Sequence, residues 1–268
     1  NPKMNYLIKV HTGRYIEKEV INLQGMCNVN IIGDSWTNTE IEFKEIDEEG
    51  GFILADNGLI ENLKFTYNGK NLSGKNLSII NYSNSTANLN YIKFVIECNN
   101  NINVINLNSC NEINFSNLDL VIKYISDDKN VDEKECIVTG INAIDSKLLE
   151  LNNVSIRINS LENNLTNLTN LNLERTRLIA KNINFELTTE LTNCNLIKYQ
   201  TFLNNNNPKD NFIYGNSLLL KTSQETNFIL NNTTQDRFII TNTNILGEFK
   251  GENIFTNGSF SLNTYEKI

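Results

Sequence analysis

The 268-residue chain is short of the residues that shape most folds. It has 2 Pro, 1 His and 1 Trp, and counting along it finds only 4 Ala. Ala is the strongest helix former and Asn a poor one, so 4 Ala beside 52 Asn argue against a helix-rich protein. Two Pro and 13 Gly exclude a collagen repeat and a Pro-rich disordered chain. No window holds 18 consecutive apolar residues, so no segment reads as a bilayer-spanning helix and no membrane insertion is expected. The five Cys (Cys27, Cys98, Cys110, Cys136 and Cys194) are odd in number, scattered and without a Cys-x-x-Cys pair. With a single His, His11, read as structural or superficial, they leave no zinc pattern, and neither metal nor cofactor is expected. They read as buried fillers of a chain made in a reducing cytoplasm. Basic charge is lacking as well. A formal net charge of −8 argues against nucleic acid, whose phosphates demand a basic surface, and against an anionic membrane. The chain opens Asn1-Pro2-Lys3 with neither Met nor a signal-peptide pattern, and the expectation is a piece of a longer protein whose targeting is unreadable.

Asn, by contrast, makes up about a fifth of the chain, far above ordinary usage. AT-rich codons would produce such an excess, and so would a structural demand. The 33 Ile and 30 Leu supply enough apolar surface for a continuous core, which excludes full disorder.

Order emerges when internal repeats are sought. Five ten-residue blocks, 58–67, 87–96, 113–122, 149–158 and 178–187, align without gaps. Each alternates apolar and other residues, then slips by one residue at its fifth position: Asn62, Tyr91, Asn117, Asn153 and Asn182. A period of two is a strand signal. A slip of one residue turns the opposite face inward unless the chain bends there. Asn tolerates the left-handed conformation of such a bend. Each block therefore reads as strand, corner, strand. The corners lie 29, 26, 36 and 29 residues apart, from 91 − 62, 117 − 91, 153 − 117 and 182 − 153. That spacing suits an all-β fold, a parallel β-helix or solenoid. Three inward columns follow: Leu63, Ile92, Leu118, Val154, Ile183; Phe65, Phe94, Leu120, Ile156, Phe185; and Tyr67, Ile96, Ile122, Ile158, Leu187. Asn62, Asn117, Asn153 and Asn182 would form a structural ladder of side-chain amides. Asn28 and Asn242 resemble further corners, and intervening strands are expected at 77–81, 102–107, 137–144 and 168–173. Roughly eight or nine coils would stack to about 40 Å. Two rivals are a leucine-rich solenoid, whose pattern occurs once at 165–173 without recurring, and an ordinary β-sandwich.

Residues 6–43 add a resemblance. They run Tyr6-Leu-Ile-Lys-Val, Gly13-Arg-Tyr15, a Glu-bearing strand, Ile31-Ile-Gly33-Asp34 and Thr39-Glu-Ile41. This resembles the opening of pectin-lyase-like right-handed parallel β-helix proteins, pectinesterases and the β-helical domains of phage tail and tail-spike proteins alike. The resemblance implies a right-handed, single-stranded β-helix. It would form one domain over 1–268, with a capping region and first coil at 1–45, coils at 46–250 and a C-terminal end at 251–268. In that setting Gly13 turns between strands, Tyr15 packs at the end of the helix, and Gly33 occupies a corner that a side chain would block. The pectinesterase pattern stops after the opening: Gly-x-x-Asp-Phe-x-x-Gly and Arg-Pro-Trp are both missing.

Candidate sites are few. The longest corner spacing contains an acidic loop in which Asp127, Asp128, Asp132 and Glu133 are candidate binding residues, although a solvated loop explains them too. Trp36 is a candidate sugar-stacking residue, with Tyr67, Tyr82, Tyr124, Tyr199 and Tyr214 as further aromatics. Asp119 is expected to pair with Lys93 and Arg157 with Glu186 on the surface, and Asp236-Arg237 to form a turn pair. No catalytic residue is identified, since no two adjacent coils present stacked acids. The expectation is a non-enzymatic structural or receptor-binding β-helix of a phage or phage-like tail, on the virion tail or an extracellular surface. It would contact cell-surface polysaccharide, as a homotrimer by the same resemblance. The alternatives are a polysaccharide lyase or hydrolase and a secreted bacterial adhesin. The repeat makes one testable statement. Asn117→Leu or Asn153→Leu should lower stability in urea denaturation, whereas substitution within the Asn run at 204–207 should be nearly neutral.

Overall fold

A computed structural model describes residues 5–23, 25–26, 28–44, 52–54, 58–69, 77–99, 101–125, 136–160, 166–189, 194–200, 210–222, 228–232, 236–246, 248–251 and 253–257. None of them is helical. The opening strands are β1 (Tyr6–Val10), β2 (Gly13–Glu17), β3 (Ile21–Asn22), β4 (Val29–Gly33), β5 (Thr39–Phe43) and β6 (Phe52–Leu54). The middle holds β7 (Gly58–Gly69), β8 (Leu77–Ser83), β9 (Ala87–Cys98), β10 (Ile102–Asn108), β11 (Glu112–Tyr124), β12 (Cys136–Ile144), β13 (Leu148–Ser160), β14 (Thr166–Glu174) and β15 (Arg177–Thr189). The chain continues through β16 (Asn195–Gln200), β17 (Asp210–Thr222), β18 (Phe228–Asn232), β19 (Arg237–Leu246), β20 (Glu248–Gly251) and β21 (Ile254–Asn257).

From β7 onward, odd-numbered strands stack in one sheet and even-numbered strands in a second. Each strand lies parallel to the one before the last, as in β9 on β7 and β10 on β8. The chain thus alternates between sheets and returns to stack on itself, consistent with a parallel β-solenoid. The segment 166–174 is a strand of this stack, neither a leucine-rich repeat nor a helix.

The corner prediction is borne out. Asn62, Tyr91, Asn117, Asn153, Asn182 and Asn242 all have φ between 51° and 57°. The exception is the expected corner at Asn28: its φ is 54°, but it precedes β4, and the β4–β7 register brings Gly33 to the level of Asn62. In β7, β9, β11, β13 and β15 the corner divides the strand into a short face before it and a long face after it, and Asn242 bends β19 at its middle. Register pairs then align the predicted columns, Leu63 with Ile92 and onward to Ile183. Every member of the three columns is at most 2% exposed. The phenyl rings of Phe43, Phe65 and Phe94 stack in succession, with centroids 6.3 and 5.3 Å apart. Burying each such side chain contributes about 1.5–3 kcal/mol. Gly33 behaves as expected: a β-carbon there would lie 2.1 Å from the Asn62 carbonyl oxygen.

The amide ladder is also present. Asn182 donates to Asn153 at 3.0 Å and Asn153 to Asn117 at 3.2 Å. Tyr91 interrupts it, so Asn117 donates instead to Asn90 at 3.0 Å, and Asn90 to Glu61 at 2.7 Å.

Three further devices escape the repeat analysis. A second corner follows the even strands, at Asn84, Ser109, Asp145 and Arg175, again with positive φ. Inside it runs a buried column of small residues, Ser85, Cys110, Ser146 and Thr176. The Cys110 amide donates to the Ser146 hydroxyl and the Ser146 amide to the Thr176 hydroxyl, both at 3.1 Å. A second amide ladder climbs the even sheet: Asn172 to Asn142, Asn142 to Asn106 and Asn106 to Asn81, at 2.8, 2.8 and 3.2 Å. Finally, Asn170 lies in the core and donates to the carbonyls of Ile156 and Glu186. Gly140 leaves it room, since a β-carbon at Gly140 would sit 2.6 Å from the Asn170 backbone oxygen.

Candidate functional site

The solenoid displays two kinds of outer surface on its odd sheet. On the long face, charged side chains are committed to one another. Lys64 and Thr66 bond the Glu40 carboxylate at 2.7 and 2.9 Å. Arg157 bonds Asp119 at 2.7 Å, and Lys93 approaches the same carboxylate at 3.7 Å. The expected Lys93–Asp119 pair therefore forms. Arg157 is the register neighbour of Glu186, yet its guanidinium reaches back to Asp119, on the adjacent strand on the other side.

The short face differs. Strand alternation turns Ser116, Asn152, Lys181 and Tyr214 outward at one register position. Asn114, Glu150 and Ile179 point outward at the other. Together they line a groove of about 250 Å³. Tyr214, 40% exposed, stands at one end. Among the described residues, no hydrogen bond or ion pair occupies the side chains of Glu150, Asn152, Lys181 or Tyr214. Here an acid, a base, an amide and an aromatic ring share one concavity with their bonding capacity uncommitted. That combination suits a polyhydroxylated ligand: polar groups bond hydroxyls while a ring covers an apolar sugar face.

Other candidates are placed as follows. Asp127, Asp128, Asp132 and Glu133 lie outside the described residues, as do 204–209 and 47–51. Trp36, in the turn between β4 and β5, is half-buried and meets Tyr91 edge-on, with centroids 6.1 Å apart. Tyr67, Tyr82, Tyr124 and Tyr199 are buried and unavailable to a ligand. Burial pushes the Tyr67 phenol up to about 12. Asp236 is not half of a turn pair. It is buried and accepts the Tyr199 hydroxyl at 2.6 Å, while Arg237 turns outward to chelate Asp210 at 2.7 and 2.9 Å. Cys98, Cys110 and Cys194 are buried, and desolvation raises the Cys110 and Cys194 thiols, which keeps them inert. His11 is exposed and bonds Asp34 at 3.1 Å. Tyr15 donates to the His11 carbonyl at 3.0 Å.

Sequence reading missed the groove because outward positions carry no periodic constraint. The available signal was the column Ser116, Asn152, Lys181, Tyr214, which the block alignment would have extended by one strand. No family model, curated protein or solved structure matches the chain.

The committed charges of the long face make a pH prediction. Burial presses the Glu40 carboxyl up, but the bonds from Lys64 and Thr66 outweigh it and hold it below 4.5. A depressed carboxyl stabilises the fold fully above its unfolded value and loses that contribution as the pH falls through the folded one. Urea denaturation should therefore show a smaller loss of stability between about pH 5 and pH 3 for Glu40→Gln than for the unchanged chain. Equal losses would contradict the assignment.

Proposed function

We propose that the chain is a non-catalytic, glycan-contacting β-helix domain with a structural or receptor-binding role in a phage or phage-like tail. The observation that carries the glycan reading is the short-face groove, with uncommitted polar groups beside the exposed Tyr214 ring. The tail assignment rests on the resemblance of residues 6–43 to pectin-lyase-like and tail-spike openings. The same resemblance supports a right-handed coil, a location on the virion tail or an extracellular surface, and a homotrimeric assembly, while the corner spacing supports eight or nine turns. A right-handed crossover is also the one that twisted strands favour. Hydrolysis of a glycosidic bond ordinarily uses two carboxyl groups flanking it. Among the described residues that line the groove, Glu150 is the single carboxylate.

One observation favours a second reading, a polysaccharide lyase. Lys181 and Tyr214 are register partners on adjacent strands, a cation beside a phenol. One experiment separates the two readings. Purified protein should be retained on bacterial surface polysaccharide, and Tyr214→Ala should weaken retention about tenfold, equivalent to about 1.4 kcal/mol. The polysaccharide should remain intact. Appearance of reducing ends or unsaturated fragments that ceases with Lys181→Ala would replace binding by cleavage.

A further inference from the structure

The corner column contains one exception to its own chemistry. Five of its six left-handed residues are Asn (Asn62, Asn117, Asn153, Asn182 and Asn242), which accepts a left-handed backbone readily, but the sixth is Tyr91, with φ 51°. A bulky side chain in that conformation is strained, and it also breaks the amide ladder, which detours through Asn90. Strain of this kind persists where the residue does something a relaxed one cannot. Tyr91 is 43% exposed, and its ring meets Trp36, the single tryptophan of the chain. An aromatic pair thus stands at the vertex beside the short face, level with β9. Tyr214 stands on the same face at β17. The order β9-β11-β13-β15-β17 separates them by four strand steps. At about 4.8 Å per step they are roughly 19 Å apart along the stacking axis. Between them lie Asn117, Asn152, Asn153 and Lys181, all outward.

We infer that these two aromatic stations end a single track, which binds a linear glycan of several sugar residues laid parallel to the stacking axis. This inference rests on the glycan reading of the groove and deepens it. A ligand gripped at one point, such as a terminal sugar, would need only one station. Two rings at opposite ends of an amide-lined strip suit an extended chain whose polar edges bond the amides while its end residues stack on the rings. Simultaneous engagement of both ends makes affinity grow with ligand length up to the span of the track.

The test uses the whole chain and oligosaccharides of two, four and six residues cut from one bacterial surface polysaccharide that the chain retains. Trp36 fluorescence reports on one end of the track alone, because no other tryptophan contributes. The hexasaccharide should shift that fluorescence at a concentration at least about tenfold lower than the disaccharide. Tyr214→Ala, at the far end, should raise the hexasaccharide midpoint at least about fivefold and leave the disaccharide midpoint unchanged. Tyr91→Asn should unfold at a higher temperature than the unchanged chain, since it restores the ladder residue, and should bind the hexasaccharide more weakly. Binding seen by calorimetry with equal midpoints for all lengths, or a Trp36 signal indifferent to Tyr214→Ala, would overturn the track and leave the glycan reading standing. A Tyr91→Asn variant that is less stable and binds normally would show that the aromatic pair only packs. Retention of no polysaccharide would overturn the glycan reading and the track together.

Discussion

A chain that stacks on itself in parallel must turn at every coil without breaking the hydrogen-bonded ladders on either side of the turn. Here one residue in the left-handed conformation meets that constraint at the first corner in β7, β9, β11, β13, β15 and β19. It rotates the strand while reversing the sense of alternation, so both faces of the bent strand still send apolar side chains inward. The core columns depend on it. If a corner relaxed to extended geometry, Leu118, Leu120 and Ile122 would face solvent and their outward neighbours would enter the core. Asn suits the corner twice over, since it tolerates positive φ and carries an amide that donates and accepts along the axis.

The second corner meets the same demand by different chemistry. Asn84, Ser109, Asp145 and Arg175 have little in common as side chains. Uniformity has moved inside, to the buried column of Ser85, Cys110, Ser146 and Thr176, in which the side chains of Cys110, Ser146 and Thr176 take up amides and carbonyls exposed by the turn. A buried amide or carbonyl left unpaired would cost about 1–3 kcal/mol, so this inner column is a requirement of the turn. On the outside, Arg175 chelates Asp145 across the step between coils. At the first corner the polar ladder is outside and the inside is apolar; at the second the arrangement is inverted.

This contrast explains which parts were legible in the amino-acid sequence. The first corner announced itself because a phase slip between two apolar alternations leaves a mark at a defined position, and Asn recurs there. Columns such as Phe65–Phe94 and Ile158–Leu187 followed directly. The second corner leaves no such mark, because its turn residues vary and its inner residues are small and polar, types that also occur in loops. The even strands conceal another slip: Ile79 and Ile80, Val104 and Ile105, and Leu196 and Ile197 are consecutive buried pairs that read locally as continuous apolar runs. The binding groove was the least legible feature. Tyr82, Tyr199 and Tyr214 are equivalent as text, and only the stacking shows two entering the core and one standing at the rim. Glu150 and Lys181 likewise differ from Lys64 and Arg157 only in lacking an ion-pair partner among the described residues.

The account stands on the claim that neighbouring coils are coupled through the corner amides. A double-mutant cycle on Asn117 and Asn153 measures that coupling most directly. Glycine at each position keeps the left-handed backbone and deletes only the amide, so urea denaturation of the two single variants and the double variant isolates the bond between them. The account predicts that the double variant loses less stability than the sum of the singles, by about 0.5–1.5 kcal/mol. Strict additivity would contradict it, and would mean that the Asn excess answers only the backbone geometry of the corner.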